Sequence, residues 1–583
     1  MQYSKLKNYL PLVSLCAFVL TIAAFGFQFT VSNLFLAIIS FPLFIIAIVG
    51  LFVHNFFGKS NKKISVLIVD LCCFLVYGFV LFLCIAVFTG YEGELIFHEY
   101  FKGIVTIAVF LFFVRESSEF KIKLKKKTIN PAQLFVISFL AIIVIGTILL
   151  LLPNATNEKL SFVDALFTST SAVCVTGLIV VDTGSYFTVF GQSVIMILIQ
   201  LGGIGIMTFA SYFSYFFRGG ATYENQLLLK DMTNAQKIGE VFKTFKKIIL
   251  ITFLIETIGA VLIYFSINNL GAYTFSEKLF FSVFHAISGF CNAGFSTLPD
   301  SLYTETFRFN YPLHLIIAFL FIVGGLGFPI VFNLVKYLKY LFINWFLKIF
   351  AISKTKHIPW VLNINSRIVL LTSLILTIFG TVLFYIIEFN NTLSEHSGIG
   401  KLTTAFFGAV TTRTAGFNSV DTSALSFSTI MIVFLLMWIG ASPGSTGGGI
   451  KTSTFAIATL NFMSLARGKE RIEIFRREIS ETSVRRAFAI ISLSLLVIGL
   501  SVFLIATFDP EKDLLTIAFE SFSAYSTVGL SLGITSSLSV PSKVVIIFVM
   551  FIGRVSMLTI LIAVMKKVAF KDYRYPNEDI LIN

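Results

Sequence analysis

Four short segments of this 583-residue chain mix hydroxyl-bearing, small and apolar residues, and each ends in a glycine followed by a bulky apolar residue. The glycines are Gly177, Gly294, Gly416 and Gly529, spaced 117, 122 and 113 residues apart. A backbone that replaces the water shell of a cation must point carbonyl oxygens inward together, and glycine adopts the necessary dihedral angles without steric cost. The spacing therefore predicts cation coordination by main-chain oxygens.

In each segment the glycine and the two residues before it are the predicted ligands. They are Val175, Thr176 and Gly177; Asn292, Ala293 and Gly294; Thr414, Ala415 and Gly416; and Thr527, Val528 and Gly529. The alternative is that the glycines only allow tight helix packing. Packing alone does not predict a polar half-helix before each glycine, so we favour coordination. Two acidic residues of the half-helices, Asp164 and Glu520, either attract cations or cap and hydrogen-bond.

The composition around these segments is that of a membrane protein. Hydrophobic residues make up 56% of the chain and charged residues 13%, with 68 phenylalanines. A soluble core cannot absorb so much apolar surface. The net charge of +14 is explained by basic residues that anchor cytoplasmic loops. Nucleic-acid binding is not indicated, because no basic stretch is interleaved with aromatic residues in a soluble domain.

Apolar runs predict twelve transmembrane helices. They lie near 8–29, 33–53, 64–89, 96–114, 131–152, 186–214, 248–268, 311–340, 366–389, 426–465, 486–508 and 541–565. Basic clusters alternate along this order with acidic or neutral loops, which predicts cytoplasmic N- and C-termini. The glycine segments follow the fifth, seventh, ninth and eleventh helices. Non-helical backbone at membrane depth is tolerated only where it is buried in protein or lines water, so the four segments predict a pore.

A second glycine confirms the register of the repeats. Gly202, Gly324, Gly440 and Gly553 lie 25, 30, 24 and 24 residues after the filter glycines. The predicted fold is an all-α polytopic membrane protein with four helix–pore-loop–helix repeats around a central pore. Its predicted parts are an N-terminal bundle of about four extra helices (1–128), pore repeats at 129–217, 245–340, 364–466 and 485–567, and a cytoplasmic tail (568–583).

The second helix of the third repeat contains Gly440-Ala-Ser-Pro-Gly-Ser-Thr-Gly-Gly-Gly-Ile-Lys451. Proline and repeated glycines cannot hold a regular helix, which predicts a break below the filter that serves as a flexible gate. The candidate gate residues are Gly444, Gly447, Gly448, Gly449, Lys451 and Arg554. A phosphate-binding loop is excluded because Ile450 separates the last glycine from the lysine. The Gly202-Gly203-Ile-Gly205 cluster is a weak dinucleotide match and indicates close packing.

Arg554 lies inside an apolar run, one residue beyond the position that matches Gly440. A charge at that depth is costly unless it is paired or wet. We predict that it touches the broken segment and the pore water as a cation barrier that helps gating. The alternative is a snorkelling or structural arginine bonded to loop carbonyls.

These residues resemble the TrkH/KtrB potassium transporters of the Trk/Ktr/HKT superfamily. The resemblance rests on Thr170–Leu178, Cys291–Phe295, Thr412–Asn418, Ser526–Leu530 and, most specifically, on the glycine-rich run before Lys451. It covers roughly 129–567. It implies potassium uptake across the plasma membrane of a bacterium or archaeon by a homodimer in which each subunit has its own pore.

The same resemblance implies an intramembrane gating loop after the third filter segment, with Arg554 as the matching arginine. It implies a cytosolic ring of TrkA- or KtrA-like regulators that hold the nucleotide, so that this chain has no cofactor of its own. In plant relatives a serine at the first filter glycine goes with sodium transport, and Gly177 therefore implies a preference for potassium. The extra N-terminal helices depart from the family pattern and are interpreted as a peripheral packing or dimer-supporting bundle.

Three other functions remain as alternatives. A sodium-carrying or sodium/proton-coupled transporter of the same fold is the first, because one glycine per loop gives few dehydrated sites. A membrane enzyme would need titratable or metal-binding side chains clustered at bilayer depth, and the sequence has only dispersed ones. A structural or receptor-like protein would not need four matched re-entrant loops.

Overall fold

A computed structural model describes residues 2–27, 33–57, 64–89, 97–117, 131–204, 241–267, 274–349 and 362–565. The predicted tail, the end of the first repeat including Gly205, and the basic residues at 59–63 and 121–127 lie outside the described residues. Most of the described chain is helical. A two-stranded hairpin, Glu473–Ile474 with Arg477–Glu478, joins the third and fourth repeats.

The N-terminal part forms four helices, Gln2–Gly26, Asn33–Phe57, Ile64–Phe88 and Phe97–Ser117. They pack around their own core, in which Phe44, Tyr77 and Phe112 are buried. At one end of the bundle, buried Arg115 donates to Asp70 (Nε–Oδ1 3.2 Å) and to Glu116 (Nη1–Oε1 2.7 Å). Charges buried in an apolar bundle need such partners.

Each of the four repeats has an outer helix, a short pore helix and an inner helix. The outer helices are Pro131–Leu150, Val241–Ser266, Ile364–Glu388 and Glu481–Phe508. The pore helices are Phe162–Cys174, Phe275–Cys291, Ile399–Thr411 and Leu514–Ser526. The inner helices are Val189–Gly203, Tyr311–Leu326 with Phe328–Ile349, Phe427–Trp438 with Thr452–Ala466, and Val540–Val555 with Met557–Val564. The helix–loop–helix repeat predicted from the glycine register is present four times.

The outer helices expose apolar side chains and the pore helices are buried. On the second outer helix Leu250, Phe253 and Phe265 are among the exposed large residues, as expected of a surface that faces lipid. One apolar core joins the repeats and includes Phe167, Phe290 and Phe417 around the pore helices. The pore helices are therefore fixed on all sides by the longer helices.

Length and apolarity qualify five of the described helices as membrane spans, or six if the bent pair Tyr311–Leu326 and Phe328–Phe346 is one span. Each of the other six predicted spans contains a described helix, but none of these helices is counted as a span by this measure.

The predicted uninterrupted helix over 311–340 is wrong. Its two halves bend by 105° at Gly327, whose φ is +82°. A methyl group at Gly327 would lie 2.7 Å from the Pro443 carbonyl oxygen, so the bend makes room for the glycine-rich run of the third repeat. The last inner helix also breaks, at Ser556 with φ +73°, where the sequence predicted continuity.

Candidate ion filter and gate

The pore helices end in the same left-handed turn in three of the four repeats. Their C-cap residues Val175, Asn292 and Thr527 have φ values of 57°, 61° and 50°. The amide of Val175 bonds the Ala172 carbonyl (3.1 Å), and equivalent bonds close the other two helices. This turn stops the helix and redirects the chain as an extended filter loop. The third helix instead ends at Thr412 in a right-handed conformation.

The four predicted filter glycines come together in one closed ring. All have positive φ, between +70° and +92°. A side chain on any of them would collide with the carbonyl oxygen that precedes the glycine of the next repeat. The contacts run from Gly177 to Ala293, from Gly294 to Ala415, from Gly416 to Val528 and from Gly529 to Thr176. The loops therefore surround one axis in chain order, and the predicted carbonyl ligands of four repeats are brought to one place.

A hydroxyl group in each pore helix braces its filter loop from behind. Ser171 donates to the Leu178 carbonyl (2.7 Å) and accepts from the amide of Gly177 (3.1 Å). Equivalent bonds come from Ser288 (2.7 Å to the Phe295 oxygen), from Thr411 (2.9 Å to the Phe417 oxygen) and from Ser523 (3.0 Å to the Gly529 amide). These hydroxyl residues were not among the predicted site residues, although a serine lies six residues before the glycine in three of the repeats and could have indicated them.

A cavity of about 660 Å³ opens on one side of the ring and is lined by all four filter glycines. Asp182, Asp300 and Asp421 also line it. Carboxylates in a concave mouth raise the local concentration of cations. The filter is therefore reached through an acidic vestibule.

The second glycine landmark has a packing function. A methyl group at Gly202, Gly324 or Gly553 would overlap a pore-helix carbonyl, and in each case that carbonyl lies four residues before the filter glycine: Val173, Phe290 and Tyr525. In the third repeat Gly440 meets the carbonyl of Gly448 instead. The inner helices thus rest against the ends of three pore helices, and the fourth place is taken by the glycine-rich run.

That run, Ile439 to Lys451, is a non-helical loop that we call the gate segment. Its ends pair as a short parallel bridge between Ile439 and Ile450, which confirms the predicted break. Lys451 Nζ donates to the Gly447 carbonyl (2.7 Å), inside the segment. Gly444, with φ +71°, accepts from the Phe328 amide (3.3 Å) and so joins the segment to the bent second inner helix.

Three consecutive residues of the gate segment lie against three filter loops. The Thr446 hydroxyl is 3.1 Å from Asn292 Oδ1. A methyl group at Gly447 would lie 2.5 Å from the Thr414 side chain, and one at Gly448 would overlap the Thr527 hydroxyl. The segment therefore covers the side of the filter opposite the acidic vestibule.

Arg554 completes this cover. Its Nη1 donates to the Thr446 carbonyl, and its Nη2 donates to the Gly202 carbonyl at 2.6 Å. The guanidinium thus joins the gate segment to the inner helix of the first repeat, and the predicted contact with the broken segment is confirmed. The bonding to loop carbonyls agrees with both interpretations of this residue, since the same bonds hold the gate segment in place.

The acidic residues Asp164 and Glu520 have structural partners. Asp164 accepts from Ser161 (2.7 Å) and pairs with Lys543 (2.8 Å), which ties the first pore helix to the last inner helix. Glu520 is fully buried and accepts from the hydroxyl groups of Ser531 and Thr535. Of the two roles predicted for them, capping and hydrogen bonding describe what these side chains do here.

Comparison with known proteins assigns the family. The TrkH family, described as cation transport proteins, matches residues 96–572. The chain belongs to this family of transporters. The match begins before the predicted limit of 129 and includes the fourth N-terminal helix.

Several relatives at high coverage are named as uptake proteins. Ktr system potassium uptake protein B of Bacillus subtilis is 39% identical over 453 residues, covering 77% of this chain and 96% of the relative. Potassium/sodium uptake protein NtpJ of Enterococcus hirae is 35% identical, covering 78% and 98%. The crystal structure of the potassium transporter TrkH from Vibrio parahaemolyticus has a TM-score of 0.58 at 17% identity, covering 92% of this chain and 99% of that one. That likeness confirms the all-α polytopic fold.

Proposed function

We propose that this chain is the translocating subunit of a potassium uptake system in the plasma membrane of a bacterium or archaeon. The observation that carries the proposal is the closed ring in which four glycine-ended loops present their carbonyl oxygens together. Such oxygens replace the hydration shell of a cation that enters from the acidic vestibule. The family and the names of the high-coverage relatives support potassium as the cation.

The test is uptake in a bacterial host that lacks its own potassium transport. Expression of the chain should restore growth at micromolar to millimolar external potassium. Gly177→Ser should abolish the rescue or its selectivity, because the added side chain meets the Ala293 carbonyl. Gly499→Ala is the matched control, since a side chain at this outer-helix position meets nothing within 4 Å. Failure of the folded intact chain to carry potassium would refute the proposal.

The second candidate is a transporter of the same fold that also carries sodium. It is favoured by the relative named as a potassium/sodium uptake protein, at 35% identity. Sodium uptake measured beside potassium uptake in the same host separates the two candidates. Equal rates for both ions would favour the second.

We also propose that the chain works as a homodimer with its termini in the cytoplasm and is gated by a TrkA- or KtrA-like regulator that holds the nucleotide. The gate segment supports the regulatory part of this proposal, because it lies on the side of the filter away from the vestibule and is joined to three filter loops. Co-purification with a regulator of this kind, and a change of flux on adding ATP or ADP to the pair, would support it. A potassium flux that stays the same when ATP or ADP is added to the pair would count against the proposal.

A further inference from the structure

The side chain of Asn292 joins the gate segment to two filter loops. Asn292 is the C-cap of the second pore helix and is 1% exposed. Its Nδ2 donates to the Thr414 hydroxyl (2.5 Å) and to the Phe321 carbonyl (3.1 Å). Its Oδ1 accepts from the Thr446 hydroxyl (3.1 Å). Every hydrogen-bonding atom of this amide is therefore used, by a filter loop, an inner helix and the gate segment.

The network itself fixes the orientation of the amide. The Phe321 carbonyl can only accept, so the NH₂ group must face it, and Oδ1 is then left for the hydroxyl of Thr446. The left-handed backbone of Asn292, with φ 61°, is one that asparagine tolerates better than most residues. Both the backbone and the side chain of this position are thus specified by the contacts.

Thr446 is held at three points. Its amide donates to the Gly324 carbonyl (3.4 Å), its carbonyl accepts from Arg554, and its hydroxyl bonds Asn292. Two of these bonds attach the segment to inner helices. The third alone reaches a filter loop, so movement of the gate segment away from the axis must break the bond to Asn292.

We propose that Asn292 is a positioning residue that couples the gate to the filter, so that opening the gate and changing the ion selectivity are linked. This rests on the proposed potassium transport. When Thr446 moves away, Asn292 Oδ1 loses the hydroxyl group that donates to it, while Nδ2 still donates to Thr414, and the second and third filter loops are free to shift together. By thermodynamic reciprocity, a change on the filter side of Asn292 must also alter the gate.

Purified protein in proteoliposomes, with no regulator present, allows a direct test. Thr446→Val removes the hydroxyl group, which donates to Asn292 Oδ1 (3.1 Å) and also lies 3.4 Å from the Phe290 carbonyl oxygen, and it keeps the backbone contacts of the segment. We expect unregulated potassium flux to rise about fivefold, the effect of one lost hydrogen bond, and the potassium-to-sodium flux ratio to fall about threefold or more. Thr507→Val is the matched control, because this exposed hydroxyl bonds the Phe503 carbonyl of its own outer helix (2.8 Å). It should leave both the flux and the ratio at their wild-type values.

A second variant changes the partner of Asn292 on the filter side. Thr414→Val removes the acceptor of Asn292 on the filter side and should raise unregulated flux as well as alter the ratio. The double variant should then differ from the product of the single effects. If folded Thr446→Val raises flux at an unchanged ratio, or if the two variants act independently, the coupling is refuted. If Thr446→Val does not fold, Thr414→Val alone decides. Wild-type flux reports separately on the proposed function.

Discussion

The guanidinium of Arg554 is expected to hold the gate segment closed. It donates to the carbonyls of Thr446 and Gly202, which belong to different repeats. A hydrogen bond to a charged group contributes about 1.5–3 kcal/mol. The two bonds together contribute about 3–6 kcal/mol, net of competition with water. If the glutamine amide keeps one of the two bonds, Arg554→Gln should favour the open gate by about 1.5–3 kcal/mol, or about 10- to 100-fold.

Ion flux in proteoliposomes without regulator measures this effect. Arg554→Lys should resemble the glutamine variant rather than the wild type, because a lysine ammonium is a point charge and lacks the planar fork that spans two carbonyls. Arg485→Gln is the control, since this arginine is 78% exposed and its partner is Glu481. Folded Arg554→Gln protein with wild-type unregulated flux would refute the reasoning.

Three further predictions address packing, selectivity and pH. Gly553→Ala should lower the melting temperature of the purified protein, because its methyl group overlaps a pore-helix carbonyl, whereas Gly499→Ala should leave it unchanged or raise it. Gly177→Ser should reduce the potassium-to-sodium flux ratio at least tenfold. An unchanged ratio would show that the first loop does not contribute to ion selectivity. Burial raises the pKa of Asp509, but the hydrogen bonds it accepts from the start of the last inner helix outweigh this and lower the pKa below its ordinary value of 3.8. Its contribution to stability is therefore present above that value and is lost as the pH falls through the lowered pKa; Asp509→Asn should remove this acid-sensitive component from unfolding curves.

The repeats and the broken third inner helix were predictable because local residue types determine them. Glycine at a matched interval and proline among glycines restrict the backbone wherever they occur. The contact between Arg554 and the gate segment was predictable from register, since the repeats share one geometry. Hydropathy also placed the helices well, because lipid imposes the same requirement along the whole chain.

The bend at Ser556 could not be predicted in the same way, because no proline lies near it and Gly553 is an isolated glycine. The bend at Gly327 did have a local signal, since Gly324, Gly325 and Pro329 surround it, but these residues were included in one continuous predicted helix. Likewise no residue pattern near Asn292 predicts its hydrogen bonds to Thr446 and Thr414, which lie more than a hundred residues away in the sequence. Side-chain links between repeats depend on tertiary neighbours, and a single sequence does not display them.

The third repeat differs from its companions, and this difference has a consequence for how such a pore is operated. Its pore helix ends in a right-handed turn, and its second glycine landmark, Gly440, belongs to the gate segment and packs against Gly448 rather than against a pore helix. In a channel made of four identical subunits, any insertion would appear four times and crowd the axis. One gene with four diverged repeats can place a single movable part on one side of the pore. A regulator then needs to act on one repeat only, and the other three repeats can stay rigid.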